Sequence, residues 1–338
     1  MIIAGDIGGT KCSFAAFEEE AGKALRLVFQ RRYATRDFTA FEQLVGRFCQ
    51  EVLSEQNVSG VGKITAAGFG FPGAVVSGRL HAFNLPWELD ATSLAHTLNL
   101  PAENVVLMND LVAAACGLDK LVPEDFLVLK QGVQQPNGNK ALIAAGTGLG
   151  EAILYWDGRR HRATASEGGA ADFAPRTERE IGLLVFLKQR LSRVSCEQLF
   201  SGRGFRNIHE FLGPSVRHPT FSGAPADSAQ EITQNALEGT CPVCVETLDL
   251  WTEAFGAEAG NLALRSLAYG GVYLAGGIAV KILPMLKKGS FCSSFVEKGS
   301  MAEILGRIPI AVILNENAPV LGAAYQALAS TDCQGRHG

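Results

Sequence analysis

An adjacent asparagine and aspartate in the segment MNDLVAAAC are well suited to acid–base chemistry. Asn109 and Asp110 follow an apolar run and precede an alanine-rich segment with helical spacing. A carboxylate at the carboxyl end of a strand, where open α/β sheets bind ligands, can accept a proton from a substrate hydroxyl. The same pair is also a good helix N-cap, which would need no further role. The spacing alone does not separate the two interpretations.

Two glycine-rich turns could hold phosphate groups. GDIGGT (5–10) and GTGLG (146–150) each join two apolar runs. Glycine lets backbone amides approach an anion closely, because it has no Cβ and tolerates positive φ. Asp6 adds a hard oxygen ligand suited to Mg²⁺, directly or through water, and Thr10 and Thr147 add hydroxyl groups. Neither turn has the spacing of a P-loop or of a dinucleotide fingerprint, so each is a weak signal by itself.

Two further segments combine glycine with a possible ligand contact. In VYLAGGIA, Gly276 and Gly277 end an apolar run, where they would let a flat ring lie against the backbone or simply make a turn. In SEGGAADFAP, Glu167 stands among small and apolar residues, and Ala170 is the first side chain after the paired glycines. These segments raise the question of what a lone acid does among such neighbours.

Apolar runs bounded by glycine alternate with segments of helical spacing, which predicts an α/β fold. The helical segments are 38–56, 109–118, 177–193, 228–268 with an interruption near GTCP, and the C-terminal APVLGAAYQALAS. The segments IIAGDIGGTKCSFAAF and LIAAGTGLGEAILYW share one plan, an apolar strand, a glycine turn and a second strand. This internal similarity and the length of 338 residues predict two lobes built alike, with a cleft.

The composition favours a small-molecule ligand. The chain is 47% hydrophobic and 19% charged with a net charge of −4, so no single-sign field suggests a nucleic-acid or membrane partner. The first residues lack a secretory signal pattern, and no run reaches the ~20 apolar residues that span a bilayer. We therefore expect a cytoplasmic protein.

Eight cysteines are spread through the chain, and one pair has metal-ligand spacing. Cys241 and Cys244 form the motif CPVC, but a four-ligand zinc site would need a second pair that is not nearby in the sequence. A reduced pair on a helix is the favoured interpretation, and a zinc or redox role is the alternative.

Taken together, these segments resemble a known superfamily. GDIGGT, NDLVAAAC, GTGLG, LAGG and PVLGAAYQAL follow, in order, the phosphate loops, connecting helices and adenosine motif of the sugar kinases, heat-shock chaperones and actin. Within that group the chain resembles the bacterial glucokinase family over nearly its whole length. The resemblance implies an α/β, two-lobed actin-like ATPase (ribonuclease H-like) fold with a ligand cleft between lobes. We expect a small α/β domain of residues 1–118 plus 318–338 and a large one of residues 119–317.

The resemblance also implies roles for individual residues. Asp110 corresponds to the general base that activates the sugar 6-hydroxyl, and Asn109, Glu167 and Glu197 correspond to residues that hold sugar hydroxyls. Asn84, in FNLPWELD, matches a segment that lines the sugar side, although a turn beside a core Trp87 explains it equally well. ATP would be held by Gly5, Asp6, Gly8, Gly9, Thr10, Gly146, Thr147, Gly148, Gly276 and Gly277. Asp6 would also bind Mg²⁺, through water.

One departure from the family pattern concerns specificity. The family has a histidine where this chain has Ala170, so one hydrogen bond near the anomeric end of the sugar is lost. Such a loss costs ~0.5 to 1.5 kcal/mol, and the vacated space could admit another hexose or a 2-substituted sugar. The related repressor and kinase (ROK) family binds zinc through a comparable histidine and a cysteine cluster. This chain has neither, and we expect no structural zinc.

Three alternatives follow from the same motifs. A kinase for N-acetylglucosamine or mannose is suggested by Ala170. A sugar-responsive regulator without catalysis is disfavoured because the first phosphate loop begins by residue 5, which leaves no DNA-binding domain before it. An ATPase chaperone is disfavoured because no peptide-binding domain follows the second connecting helix. The apolar segment GNLALRSLAYGG would suit either a homodimer surface or a core helix.

Overall fold

Both ends of the chain belong to the same structural unit. Met1–Val122 and Asn315–Gly338 form the first unit, and Pro123–Leu314 form the second. The computed structural model describes residues 1–20, 24–54, 63–76, 79–82, 85, 87, 89–133, 135–213 and 225–332. Within these ranges, no helix has the length and apolar character needed to cross a bilayer.

The first unit is built on a five-stranded sheet with an adjoining hairpin. The strands are β1 (Ile2–Ile7), β2 (Lys11–Glu19), β3 (Leu25–Ala34), β4 (Ala66–Phe71), β5 (Gly73–Val76), β6 (Arg79–Ala82) and β7 (Val105–Asn109). The main sheet has the order β3-β2-β1-β4-β7, and β5 pairs with β6. Strands β1, β4 and β7 are parallel, whereas β2 and β3 are antiparallel to their neighbours. Because parallel strands end at a common edge, Asp6 and Asn109 lie at the same edge of this sheet.

Helices cover both faces of the first sheet. They are α1 (Phe41–Ser54), α2 (Ala91–Leu98), α3 (Asp110–Leu118) and α12 (Ala318–Asp332). Side chains alternate along a strand, so Ile3 and Ile7 of β1 pack with α1 and α2, whereas Ile2 and Ala4 pack with α3 and α12. A strand covered on both faces is apolar throughout, which explains the unbroken apolar run at the start of the sequence.

Small residues let α3 and α12 approach closely. A Cβ on Gly322 of α12 would lie 1.9 Å from the carbonyl oxygen of Ala113 in α3. A Cβ on Gly117 of α3 would lie 2.3 Å from the carbonyl oxygen of Ala318. A side chain at either position would force the helices apart. The position of α3, which begins at Asp110, therefore depends on this contact.

The second unit contains a six-stranded sheet. Its strands are β8 (Phe126–Lys130), β9 (Lys140–Ala145), β10 (Leu149–Trp156), β11 (His161–Ser166), β12 (Gly271–Ala275) and β13 (Ile310–Ile313). The order is β11-β10-β9-β12-β13-β8, with β9, β12 and β13 parallel and the other pairings antiparallel. Leaving out β8, this is the order and direction of the five strands in the first unit. The two similar hairpins predicted from the sequence are confirmed as β1–β2 and β9–β10.

Helices of the second unit surround an aromatic core. They are α4 (Glu178–Lys188), α5 (Gly202–Leu212), α6 (Pro225–Glu238), α7 (Pro242–Ser266), α8 (Gly277–Lys281), α9 (Leu283–Leu286), α10 (Ser290–Val296) and α11 (Ala302–Arg307). Trp251 of α7 stacks on Phe205 of α5 with ring centroids 4.8 Å apart, and Phe255 lies 4.7 Å from the same indole. Helix α7 also buries Leu262 and Ala263, whereas Leu267, in the same GNLALRSLAYGG segment, is 54% exposed, so the segment is core in part only.

Candidate functional site

The turn between β1 and β2 is held in place by backbone hydrogen bonds. The amide of Gly8 donates to the carbonyl oxygen of Lys11 at 3.0 Å, which closes the turn. The Thr35 hydroxyl donates to the carbonyl oxygen of Gly8 at 2.7 Å, and the Thr35 amide donates to that of Thr10 at 3.0 Å. Gly9 and Thr10 are exposed at its tip. The turn is thus fixed at its base and open where a phosphate group would bind.

Gly8 serves this turn by close approach rather than by an unusual backbone angle. A Cβ on Gly8 would lie 2.9 Å from the carbonyl oxygen of Lys11. A Cβ on Gly5, in β1, would lie 3.0 Å from the side chains of Ile7 and Phe69. Gly5 is therefore buried in the core below the turn, and its side of the strand offers no access to a ligand.

Asp6 is a half-buried carboxylate near the end of β1. Its burial raises its pKa to about 6, and the charge of the nearby Lys11 opposes this rise. A carboxylate that is costly to ionise in the unliganded protein gains from a bound cation, because the cation stabilises its charged form. Gly70, the register partner of Asp6 in β4, also lies against the backbone of Asp110. The two aspartates therefore occupy neighbouring places at the sheet edge.

Asn109 is the N-cap of α3, as the structural interpretation of the Asn-Asp pair predicted. Its Oδ1 accepts hydrogen bonds from the amides of Leu111 and Val112 at 2.9 and 3.1 Å. Its Nδ2 donates to the carbonyl oxygen of Gly73 at 2.9 Å. These contacts use both acceptor sites of the side chain and one of its two donors. At most one N–H of Asn109 is left for a sugar hydroxyl.

Asp110 occupies the first position of α3 and is half-buried. Its Oδ1 accepts a hydrogen bond from the amide of Leu111 at 2.8 Å. This contact holds the carboxylate at the helix N-terminus, where a negative charge is stabilised by the helix dipole. The capping and catalytic interpretations are therefore compatible, because Asn109 supplies the cap and positions Asp110.

The second glycine turn joins β9 to β10 and contacts Glu197. The amide of Gly146 donates to the carbonyl oxygen of Gly148, and the amide of Gly202 donates to that of Gly146, both at 2.9 Å. A Cβ on Gly148 would lie 2.6 Å from Glu197 Oε2, which accepts a hydrogen bond from the Leu149 amide at 3.3 Å. A side chain at position 148 would therefore collide with Glu197. The predicted sugar ligand and the predicted phosphate turn meet here.

Glu167 and Glu197 lie on adjacent backbone segments. The amide of Cys196 donates to the carbonyl oxygen of Ala171 at 2.9 Å, and Asp172 pairs with Ser195 in a β-bridge. Glu167 is exposed and Glu197 is half-buried. Two acidic side chains on neighbouring segments can accept hydrogen bonds from different hydroxyls of one small polyol.

A buried glutamate, Glu151, packs against the segment that carries Glu167. It was not predicted from the sequence. Glu151 of β10 is 1% exposed, and a Cβ on Gly168 would lie 1.8 Å from its Oε2. Burial, with a smaller contribution from the charge of Glu258, raises the pKa of Glu151 to about 7, and Arg265 opposes this rise. The sequence signal was an acidic residue inside the apolar strand LGEAILYW.

A cavity of about 430 Å³ in the second unit contains several of the predicted nucleotide ligands. Its walls include Gly146 and Thr147 from the β9–β10 turn and Gly277 from the start of α8. A Cβ on Gly146 or Gly277 would meet no protein atom within 4 Å. Because no described protein atom occupies this space, these two glycines leave room for a ligand. The volume falls in the ~300 to 1,000 Å³ range of ligand pockets.

Most other walls of this cavity were not predicted from the sequence. They come from α5, α6, α8 and the residue after α8: Gly202, Arg203, Phe205, Ala229, Gln230, Thr233, Ile278, Lys281 and Ile282. Arg203 and Lys281 supply positive charge suited to phosphate, and Phe205 and Ile278 supply apolar surface suited to a base. No motif marked these residues, because they converge from separate helices.

Gly276 has a structural role that Gly277 does not share. Its φ of +86° is in the region that favours glycine, and a Cβ would lie 2.3 Å from the carbonyl oxygen of Ala145. The interpretation of this residue as a turn glycine is therefore the better one. In the first unit, Trp87 is also structural, since it is 6% exposed and its indole donates to the carbonyl oxygen of Phe38 at 3.1 Å. Asn84 lies outside the described residues.

Comparisons with known proteins identify relatives along almost the whole chain. The family model for glucokinase matches residues 3–330. A glucokinase from Synechocystis sp. is 38% identical over an alignment 351 residues long, which covers 97% of this chain and 98% of the relative. The crystal structure of a glucokinase from an Antarctic psychrotroph has a TM-score of 0.83 at 27% identity and covers 97% of this chain and 98% of its own. A ROK family glucokinase from Streptomyces griseus, solved with glucose and AMPPNP, has a TM-score of 0.66 at 23% identity, with 97% and 99% coverage, and shows likeness of fold.

Proposed function

Since this chain belongs to the glucokinase family, we propose that it transfers the γ-phosphoryl group of ATP to the 6-hydroxyl of glucose. The predicted α/β, actin-like ATPase fold is confirmed by its structural neighbours. The observation that carries the proposal is the placement of Asp110 at the first position of α3, at the sheet edge that also holds Asp6. A carboxylate there can serve as a base beside a site for phosphate and a cation.

Asp110 is the general base of the proposed reaction. As the 6-hydroxyl oxygen attacks phosphorus, its proton passes to a carboxylate oxygen of Asp110, and the bond from phosphorus to the leaving oxygen breaks. Phosphoryl transfer needs little covalent assistance, so positioning of the hydroxyl contributes as much as the proton transfer. Asn109 contributes indirectly, because its cap fixes the start of α3.

Glu167 and Glu197 accept hydrogen bonds from other hydroxyls of the sugar. Their adjacent segments support this role, and Arg193 stabilises the Glu167 segment by donating to the carbonyl oxygen of Ala170 and pairing with Asp172. We expect these glutamates to contribute mainly to sugar affinity. Their alanine variants should therefore raise the KM for glucose more than the KM for ATP.

ATP fits the cavity of the second unit. Gly146 and Gly277 leave open space there, while Thr147, Arg203 and Lys281 offer a hydroxyl and two cationic groups. In the first unit, Asp6 and the Gly8–Thr10 turn are the proposed ligands for a phosphate group and Mg²⁺, because a carboxylate whose pKa is raised by burial gains from a bound cation. When bound, Mg²⁺ neutralises phosphate charge during transfer.

The Asp110→Asn variant tests the proposal directly. We expect kcat for glucose phosphorylation to fall by about 10² to 10⁴-fold, since a positioned base contributes that much. The amide keeps the size of the side chain, so thermal unfolding should change little. A matched control is Asp119→Asn, at the opposite end of α3, which should retain full activity. Wild-type kcat in a folded Asp110→Asn protein would refute the assignment.

A kinase for another hexose is the second candidate, and Ala170 favours it. Ala170 is exposed, so the space left by the missing histidine is accessible to a ligand. Phosphorylation rates with glucose, mannose and N-acetylglucosamine distinguish the two candidates by their kcat/KM values. ATP consumption that does not depend on any sugar would instead support the regulator or ATPase alternatives.

Three expectations stay predictions within this proposal. The small domain of residues 1–118 plus 318–338 and the large domain of residues 119–317 are the first, and the cytoplasm, the compartment that supplies ATP and glucose to such a kinase, is the second. The homodimer is the third prediction; in the segment that suggested it, Leu262 and Ala263 are buried and Leu267 is 54% exposed.

A further inference from the structure

Three side chains of types that bind transition metals come together between the end of α5 and the start of α7. His209 lies near the end of α5, and Cys241 and Cys244 lie at the start of α7. One ligand atom from each lies within 4.8 Å of the other two. His209 and Cys244 are fully buried, and Cys241 is half-buried. An ion could therefore reach the cluster from the side of Cys241.

The start of α7 fixes the two sulfur atoms relative to each other. Cys241 is the N-cap, and its Sγ accepts a hydrogen bond from the Cys244 amide at 3.4 Å. Pro242 occupies the first helical position, where its fixed φ favours the helix. The spacing of two residues between cysteines is that of many zinc sites. A helix turn thus presents both sulfurs on the side that faces His209.

The distances suit a tetrahedral ion after a small adjustment. Zn–S bonds of ~2.3 Å and Zn–N bonds of ~2.0 Å place neighbouring ligand atoms about 3.3 to 3.8 Å apart in a tetrahedron. Because the ligand atoms lie within 4.8 Å of one another, binding requires closure by at most about 1 to 1.5 Å, which rotation of side chains can provide. Sulfur and imidazole ligands favour Zn²⁺ over the Mg²⁺ that a kinase uses.

The electrostatic surroundings also bear on metal binding. The pKa of the Cys244 thiol is raised, chiefly by burial and then by its contact with Cys241 and the charge of Glu231 in α6. Zinc binds cysteine as the thiolate, so its binding releases the thiol protons and compensates the charge of the sulfurs. Glu231 adds a carboxylate near the sulfurs that can approach as a fourth ligand.

We propose that His209, Cys241 and Cys244 form a zinc-binding site that joins the end of α5 to the start of α7. From the sequence we expected no structural zinc, because the chain lacks the histidine and the cysteine cluster of the ROK family, and a second pair to complete a site with Cys241 and Cys244 is not nearby in the sequence. In the structure, a histidine from another helix lies with that pair. Helix α5 also carries Gly202, Arg203 and Phe205 to the nucleotide cavity. Zinc therefore stabilises one wall of that cavity without contacting the nucleotide.

Metal titration of the full-length, reduced protein tests the site. Chelator-treated protein is titrated with Zn²⁺ in competition with a chromophoric chelator, and Co²⁺ serves as a spectroscopic substitute. We expect one Zn²⁺ per chain, a thiolate-to-cobalt charge-transfer band, and a higher Tm with Zn²⁺ than without it. Cys241→Ser should weaken Zn²⁺ binding at least tenfold and remove much of the cobalt band, because a serine hydroxyl is a poor zinc ligand.

The control is Cys292→Ser, which removes another half-buried thiol of the second unit. It should leave Zn²⁺ affinity and the cobalt spectrum unchanged. Cys244→Ser and His209→Gln are buried substitutions, so their metal binding is interpreted only if circular dichroism shows that the variant folds. If they do not fold, the metal binding of Cys241→Ser alone tests the proposal. The proposal is overturned if wild type and Cys241→Ser bind Zn²⁺ equally, or if Cys241 and Cys244 form a disulfide and the reduced protein binds no zinc.

Discussion

At the scale of single residues, the ionisation of Glu151 makes the free energy of unfolding depend on pH. Its pKa of about 7 in the folded protein exceeds the ordinary value of 4.5. The folded state therefore holds this proton more tightly than the unfolded state, and the free energy of unfolding falls as pH rises from about 4.5 to 7. The loss of stability caused by ionising the buried Glu151 is fully present above about pH 7 and absent below about pH 4.5.

Glu151→Gln should remove this pH dependence. We expect the variant to gain stability relative to wild type as pH rises from 5 to 8, by about 1 to 3 kcal/mol in total. Urea denaturation at several pH values measures the difference. Glu303→Gln removes an exposed glutamate carboxylate of α11 and serves as the control, measured over the same pH range. A constant difference for Glu151→Gln would show that this carboxyl ionises normally.

The individual site residues were predictable to different degrees. Asp110, Glu167 and Glu197 stand in short segments whose composition or family resemblance marked them. Arg203 and Lys281 could not be found in this way, because each is an ordinary surface type in its own helix and becomes notable only where the helices converge. The same holds for His209, whose nearness to the CPVC motif depends on the packing of α5 against α7.

At the scale of elements, fully buried strands were predicted well and partly exposed ones poorly. The glycine-bounded apolar runs correspond to β1, β4, β7, β9, β10, β12 and β13. Strand β3 contains three arginines and β11 is mostly polar, so neither shows an apolar run. Helix α5 was missed because it begins with GRG, and glycine disfavours a helix. Helix α4 was predicted to reach residue 193 but ends at Lys188.

Because α3 and α12 lie so close together, a glycine-to-alanine substitution in α12 should destabilise the protein, whereas the same substitution in α1 should stabilise it. Gly322→Ala places a Cβ 1.9 Å from the Ala113 carbonyl oxygen, so we expect a loss of about 1 to 3 kcal/mol of stability. Kcat should also fall, since α3 must shift and Asp110 moves with it. Gly46→Ala in α1 meets no atom within 4 Å and should stabilise by about 0.5 to 1 kcal/mol. Chemical denaturation and steady-state kinetics of both variants measure these effects; a neutral Gly322→Ala would show that the helices adjust freely.

At the scale of the whole molecule, the repeated strand order explains why phosphate turns occur in pairs. Each sheet places a glycine turn between its first two strands, after β1 in the first unit and after β9 in the second. The sequence showed this as two similar segments. The two turns have nevertheless diverged, because Thr35 supports the first turn and Glu197 lies against the second. Local sequence could show the repeat but not these supports, which come from distant parts of the chain.

Nucleotide binding should therefore leave an uneven pattern of protection over the molecule. Bound nucleotide raises the free energy of every local unfolding reaction that destroys the site. With a non-hydrolysable ATP analogue at 100 times its Kd, the increase is up to ~2.7 kcal/mol, so amide exchange there slows by up to about 100-fold. Hydrogen exchange with mass spectrometry should show this slowing in peptides that cover the β9–β10 turn, the start of α5 and α8, which line the cavity. Strand β11, at the far edge of the same sheet, provides an internal control and should change little, because it opens without disturbing the cavity. Protection of β11 equal to that of the turn would indicate that the second unit opens as a whole, and no slowing at α5 and α8 would place the nucleotide elsewhere.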